Sequence, residues 1–184
     1  MRKFVLAAGL SLAAGGAFAQ EDGPGPNLVI DIAGQGANGQ VVIDLLPELA
    51  PKNVAQVVAL AKAGEYDDVV FHRVIDGFMA QTGDVQFGKG EASGRSGTGG
   101  SDMPDLPAEF SDEPFARGTV GMARTQDPNS ADSQFFIMFA PGDFLNGQYT
   151  VIGHVIEGMD VVDAITKGEP PQNPDRMVQV TVEE

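Results

Sequence analysis

No cysteine occurs in the 184 residues, and histidine occurs only twice, at His72 and His154. The first absence excludes a disulfide-stapled scaffold and thiol redox chemistry, so the chain must be held by its apolar core. Two histidines leave too little for most metal or nucleophile chemistry, and no ligand cluster stands at a recognisable spacing. Bases are scarce as well. Lys and Arg number 11 against 26 Asp and Glu, a formal charge of -15 at pH 7. That balance argues against nucleic acid and anionic membrane surfaces as partners, both of which want basic patches. Its plain consequence is solubility.

What is present begins with an export signal. Met1-Arg2-Lys3 is a basic start, Phe4 to Leu12 an apolar run, and Ala17-Phe18-Ala19 an A-x-A cleavage site. Residues 1–19 therefore read as a signal peptide and residues 20–184 as one domain, delivered to a bacterial periplasm. The apolar run is short for a membrane span, and no membrane association is expected after cleavage.

Beyond the flexible EDGPGP, Leu28 to Ile32 and Gln40 to Leu45 are β-rich runs joined by a Gly/Asn-rich loop, a hairpin signal. From Pro51 to Ala63 the period becomes helical, with Val54, Val57, Val58 and Ala61 on one face. Pro51 suits the first turn and Gly64 the C-terminal end. Extended segments are expected at Val69 to Ile75, Phe78 to Gln81, Glu109-Phe110, Gly118 to Met122, Ser133 to Phe139, Thr150 to Ile156 and Met177 to Val182. A short helix is expected from Gly158 to Thr166. About eight short strands with two helices predict a mainly β protein, a closed eight-stranded antiparallel barrel capped by the helices. Closure would remove the edges by pairing the first and last strands.

Two loops invite a ligand and fit none well. The Gly/Ser-rich stretch after Val85 lacks the spacing of a phosphate-binding loop and no helix follows it. Asp127, Asn129 and Asp132 lack the central Gly and closing Glu of a calcium loop.

The informative stretch is FHRVIDGFMAQTGD, Phe71 to Asp84. It places Arg73 in a β-branched run, an Asp76-Gly77 turn, and then Phe78, Met79 and Gln81. Strand alternation predicts Arg73 on one face with Phe71 and Ile75, a lone guanidinium on an apolar surface, and His72 on the other face. The second such stretch is GTVGMARTQDPNSADSQFFI, Gly118 to Ile137. Its continuation puts Gln134, Phe136 and Met138 on one face and Phe135, Ile137 and Phe139 on the other. One face can fill a core, while the other, apolar but carrying a glutamine, suits a groove.

These two ordered blocks, with GTGG at Gly97 to Gly100, resemble the cyclophilin-type peptidyl-prolyl cis-trans isomerases. The resemblance covers nearly all of the chain beyond the leader. It implies an eight-stranded barrel with a helix at each end, and rotation about X-Pro bonds without metal or cofactor. It also implies roles. Arg73 would be the donor to the prolyl nitrogen. Phe78, Met79, Phe136 and Leu145 would form the proline pocket, and Gln81 and Gln134 would hold substrate amide groups and help orient Arg73. Ala123 and Arg124 would meet the peptide through their backbone, and Phe144 would lie along the rim. Four positions depart from the familiar eukaryotic pattern: Asp76 for proline, Arg124 for asparagine, Phe144 for tryptophan, and Tyr149 for a pocket-lining histidine. The partners expected are proline-containing segments of unfolded or newly exported proteins, met by a monomer. Two other readings stand beside this one. A non-catalytic peptide-binding chaperone could use the same groove, but would have no need of Arg73. A lipocalin-like barrel fits the strand count but not the two intervening helices.

Overall fold

The computed structural model describes residues 21–184, so the expected leader lies outside the described residues. The strands run β1 (Asn27–Ala33), β2 (Gly39–Leu45), β3 (Val69–Val70), β4 (Arg73–Ile75), β5 (Met79–Thr82), β6 (Thr119–Met122), β7 (Phe135–Met138), β8 (Val151–Glu157) and β9 (Arg176–Glu183). Helix α1 (Pro51–Lys62) follows β2, α2 (Met159–Ala164) follows β8, and a 3₁₀ turn (Asp143–Leu145) lies between β7 and β8.

All nine strands join one curled antiparallel sheet in the order β3-β9-β1-β2-β8-β6-β7-β5-β4. The expected closed eight-stranded barrel is corrected on both counts: the sheet is open, and it has nine strands. The cause is local. Val69 to Ile75, expected as one strand, divides at Phe71-His72, where the Phe71 N–H turns to the carbonyl of Asp175 at 2.9 Å. The two halves therefore become β3 and β4, the opposite edges of the sheet, joined through two residues of chain. The expected pairing of the first and last strands is present, with β1 against β9 throughout its length.

The break also changes a face. Phe71 packs in the main core with Val74, whereas Ile75 packs on the opposite side of the sheet, so Phe71 and Ile75 do not share a face. The main core gathers Leu28, Ile30 and Ile32 of β1, Val41, Ile43 and Leu45 of β2, and Phe135 and Ile137 of β7, beneath Val54, Val57 and Leu60 of α1 and Val162 of α2. A smaller cluster of Met79, Phe115, Phe136, Met138, Leu145 and Val151 lies on the other face. The alternation expected for Phe135 to Phe139 thus separates core from site.

Glu109-Phe110, expected to be extended strand, forms none. Glu109 instead accepts the N–H groups of Lys52 and Asn53 and the Asn53 side-chain amide, supplying an anionic cap at the start of α1. Tyr66, fully buried, meets Phe135 edge-on at 5.6 Å and donates its hydroxyl to the Ser133 carbonyl at 2.8 Å. That bond secures the entry to β7. Tyr66→Phe leaves the buried carbonyl without this donor and should cost about 1–3 kcal/mol. The check is a lowered urea midpoint with an unchanged denaturant slope.

Candidate active site

Strand register assembles the site. Arg73 lies directly opposite Gln81 on β5, Gln81 opposite Phe136 on β7, and Phe136 opposite Gly121 on β6. A parallel row runs Ile75, Met79, Met138. Because side chains alternate along a strand, both rows project from the face away from the main core. At the inner end of the first row a side chain would be an obstacle. A Cβ on Gly121 would come within 2.5 Å of Phe115 Cε1 and 2.7 Å of Phe136 Cζ. Glycine there lets the buried Phe115 stack beneath Phe136 at 5.7 Å, and Phe136 forms part of the floor of a pocket.

Loops supply the walls. The hairpin between β4 and β5 turns through Asp76-Gly77, closed by the Phe78 N–H to the Ile75 carbonyl at 3.0 Å, and carries Phe78. Leu145 comes from the 3₁₀ turn, and Tyr149, edge-on to Phe136 at 5.9 Å, from the residues beyond it. Every expected site residue except Gln134 and Phe144 lines one cavity of about 110 Å³. Phe144 meets Phe78 at a tilt of 44°, centroids 5.5 Å apart, and stands 65% exposed at the rim. Gln134 lies in an adjoining cavity of about 360 Å³ that shares Gln81, Ala123 and Arg124 with the first. The Arg124 guanidinium is turned away to the Gln148 and Thr125 carbonyls and covers the Tyr149 ring at 4.3 Å.

The polar groups form a chain. Buried Asp84 accepts the N–H groups of Gln86, Phe87, Gly97 and Gly99, folding the Gly-rich loop back on itself. The carbonyls of Gly97 and Gly99 then take both donations of Gln134 Nε2, at 3.1 and 2.8 Å. Gln134 Oε1 accepts from Gln81 Nε2 at 2.9 Å, which turns Gln81 Oε1 toward Arg73 Nη1 at 3.5 Å. The amide of Gln134, expected to hold substrate, is thus committed to the protein.

Arg73 is not the lone guanidinium that the alternation suggested. Its Nε donates to Glu169 at 2.8 Å, and its side chain is half-exposed. Glu169 gives no signal in the sequence, lying in a proline-rich loop far along the chain. His72, expected opposite Arg73, is buried beneath Gly97, with neither ring nitrogen hydrogen-bonded among the described residues. Burial pushes its pKa below the usual histidine value, the nearby Asp84 carboxylate opposing in part. A buried imidazole that does not line the cavity is no general base for it.

Residues 29–183 match the family described as cyclophilin type peptidyl-prolyl cis-trans isomerase/CLD. The chain belongs to that family. A probable peptidyl-prolyl cis-trans isomerase of Brucella suis biovar 1 is 61% identical over 154 residues, 79% of each chain. Peptidyl-prolyl cis-trans isomerase B of Escherichia coli K12 is 37% identical over 146 residues, 70% of this chain and 79% of that one. Among solved structures, a cyclophilin from Hirschia baltica aligns with TM-score 0.72 at 29% identity, over 87% of this chain and 74% of that one. A Cryptosporidium parvum cyclophilin solved in the presence of the dipeptide Ala-Pro aligns at TM-score 0.73 and 24% identity, over 86% and 99%. The cyclophilin fold and peptidyl-prolyl isomerase activity follow for this chain.

The buried histidine has a thermodynamic consequence. Because its folded pKa is lowered, the unfolded chain takes up a proton near pH 6.5 that the native chain refuses. The stability of this cyclophilin should therefore fall as pH drops below about 6.5, until the lower folded pKa is reached. Denaturant midpoints between pH 7.5 and 5.5 should show that slope, and His72→Gln should flatten it.

Proposed function

We propose that this cyclophilin accelerates X-Pro isomerisation in exported polypeptides by stabilising the twisted amide with Arg73. Amide resonance opposes rotation by about 18–20 kcal/mol, and uncatalysed X-Pro exchange takes tens to hundreds of seconds, long enough to delay folding. A catalyst must bind the twisted form better than either planar isomer. Twisting localises a lone pair on the prolyl nitrogen. A fixed N–H aimed there favours that state, while an apolar pocket grips the ring and the chain on one side of it turns.

The observation that carries this reading is the lip of the 110 Å³ cavity, where Arg73 stands beside an apolar floor and walls of Met79, Phe136 and Leu145. Phe78, Phe144 and Tyr149 narrow the entrance for the proline ring. One Arg73 N–H is engaged by Glu169 and one by Gln81, and the rest of the planar fork remains for substrate. Gln81 and Gln134 hold that fork and the adjoining loop in place. Ala123 and Arg124 border both cavities, where an extended peptide would cross from one to the other. The chemistry asks for no cofactor or metal. The clients are unfolded or newly exported chains, met by a monomer in the periplasm.

Arg73→Ala tests the role of the donor. Loss of one preorganised electrostatic donor typically lowers a rate by about 10²–10³. That loss is expected in a protease-coupled assay on an Ala-Pro peptide, with circular dichroism unchanged. Turnover near wild type in the folded variant would reject the assignment, and a peptide bound tightly by an inactive wild type would favour the chaperone reading.

The location has its own test. Expressed with its leader in a Gram-negative host, the protein should be recovered from the periplasmic fraction beginning at Gln20. Recovery from the cytoplasm beginning at Met1 would reject export.

A further inference from the structure

We propose that Glu169 is a positioning residue for Arg73, setting the plane and direction of the guanidinium from behind the pocket. The proposal rests on Arg73 being the donor to the prolyl nitrogen.

The pair is built by backbone, not by chance contact of two long side chains. Val74 and Gly168 form an antiparallel bridge, with the Val74 N–H donating to the Gly168 carbonyl at 2.8 Å and the Gly168 N–H to the Val74 carbonyl at 2.9 Å. Arg73 and Glu169 are the residues flanking this bridge on the same side, and their side chains meet at 2.8 Å. The bridge itself needs glycine. Gly168 adopts φ 149°, and a Cβ there would lie 2.6 Å from the Pro171 Cα. Pro170 and Pro171 then carry the loop away with restricted backbone. The exposed edge of β4 is thereby given a short partner whose next residue is an acid.

Distances favour Glu169 over Gln81 as the orienting group. Gln81 is met at 3.5 Å, the limit of hydrogen bonding, whereas Glu169 is met at 2.8 Å by a charge-assisted bond. Holding Nε–H fixes the rotation of a planar fork about its last torsion, so the Nη groups face the pocket. Glu169 itself does not line the proline cavity. It lies with Pro170 in a separate recess of about 220 Å³ that reaches Arg73 from the side of His72 and Gly97. Its contact with the site is the bond to Arg73.

The two partners are half-exposed, which sets the size of the effect. Exposed pairs contribute about 0.2–1 kcal/mol, equivalent to about 1.5- to 5-fold in rate. Glu169→Ala should lower kcat by about two- to fivefold at low salt while leaving KM for an Ala-Pro peptide in place. Glu169→Gln, which retains an acceptor, should lose less. Raising salt from about 50 to 500 mM should slow the wild type toward the Glu169→Ala rate and leave the variant unaffected. The Arg73 Nε–H resonance should move upfield when the carboxylate is removed.

A double-mutant cycle with Arg73→Lys decides the route of the effect. Lysine has no Nε–H and no fork, so Glu169→Ala should be silent in that background. An equal loss in both backgrounds, a change confined to KM, or an unchanged kcat in the Arg73 background would overturn the proposal. If Arg73→Ala retains its turnover, the donor assignment fails instead; if Arg73 is required and Glu169→Ala is without effect, only the positioning role fails.

Discussion

Everything at the site depends on the register of four short strands. Arg73, Gln81, Phe136 and Gly121 occupy one transverse row across β4, β5, β7 and β6. A one-residue slip of any member would turn its side chain into the main core and bring a core residue out. That penalty makes the register robust: Val74, Ala80, Ile137 and Val120 are fixed on the buried face by the same pairing. The proposed catalytic geometry is thus held at no separate cost by the apolar contacts that stabilise the fold. The pocket then needs little more than a gap at Gly121 and loops to wall it.

The legible part of this arrangement was the part encoded locally. Helical spacing located α1, and alternation from Ser133 to Phe139 correctly separated Phe135 and Ile137, in the core, from Phe136 and Met138, at the site. The resemblance of two blocks to cyclophilins supplied candidate residues that the folded chain brings to adjoining cavities. Alternation failed at Phe71-His72 because uninterrupted β-branched and aromatic residues look the same whether a strand continues or bends. The bend is dictated by Asp175, about a hundred residues away, whose carbonyl captures the Phe71 N–H. Closure failed as an inference for the same reason, since counting strands cannot reveal which ladder is interrupted. Glu109 and Glu169 were invisible because an acid's partner across the fold leaves no trace in its neighbours.

Those acids point to a use for the lopsided charge beyond solubility. Several carboxylates accept backbone N–H groups in irregular segments: Asp84 folds the Gly-rich loop, Asp175 takes Gly36 and Thr166, and Asp132 takes Ser101 while also receiving the Gln56 amide. Loops that carry few ladder bonds still have backbone donors to satisfy, and a charged acceptor with two oxygens can gather several at once. Asp127 and Asn129, weighed above as calcium ligands, are spent in the same way, accepting the N–H groups of Asn129 and Ala108. With no disulfide to pin them, the loops around the groove are tied down by acids.

The same economy explains why the proposed donor can be half-exposed. A guanidinium buried in the empty groove would lose hydration and demand full compensation from the protein. At the lip, Arg73 keeps water on one side and Glu169 and Gln81 on the others, so the resting site carries no large electrostatic strain. On the proposed reading, a proline-containing segment entering the cavity would displace that water, and the field of the charge at the prolyl nitrogen would strengthen as the local dielectric falls. An open groove also suits a polypeptide substrate, which must enter from the side and leave with its chain intact. The proposed donor would therefore be most effective when substrate covers it, and the protein's own contribution would be to hold its direction until then.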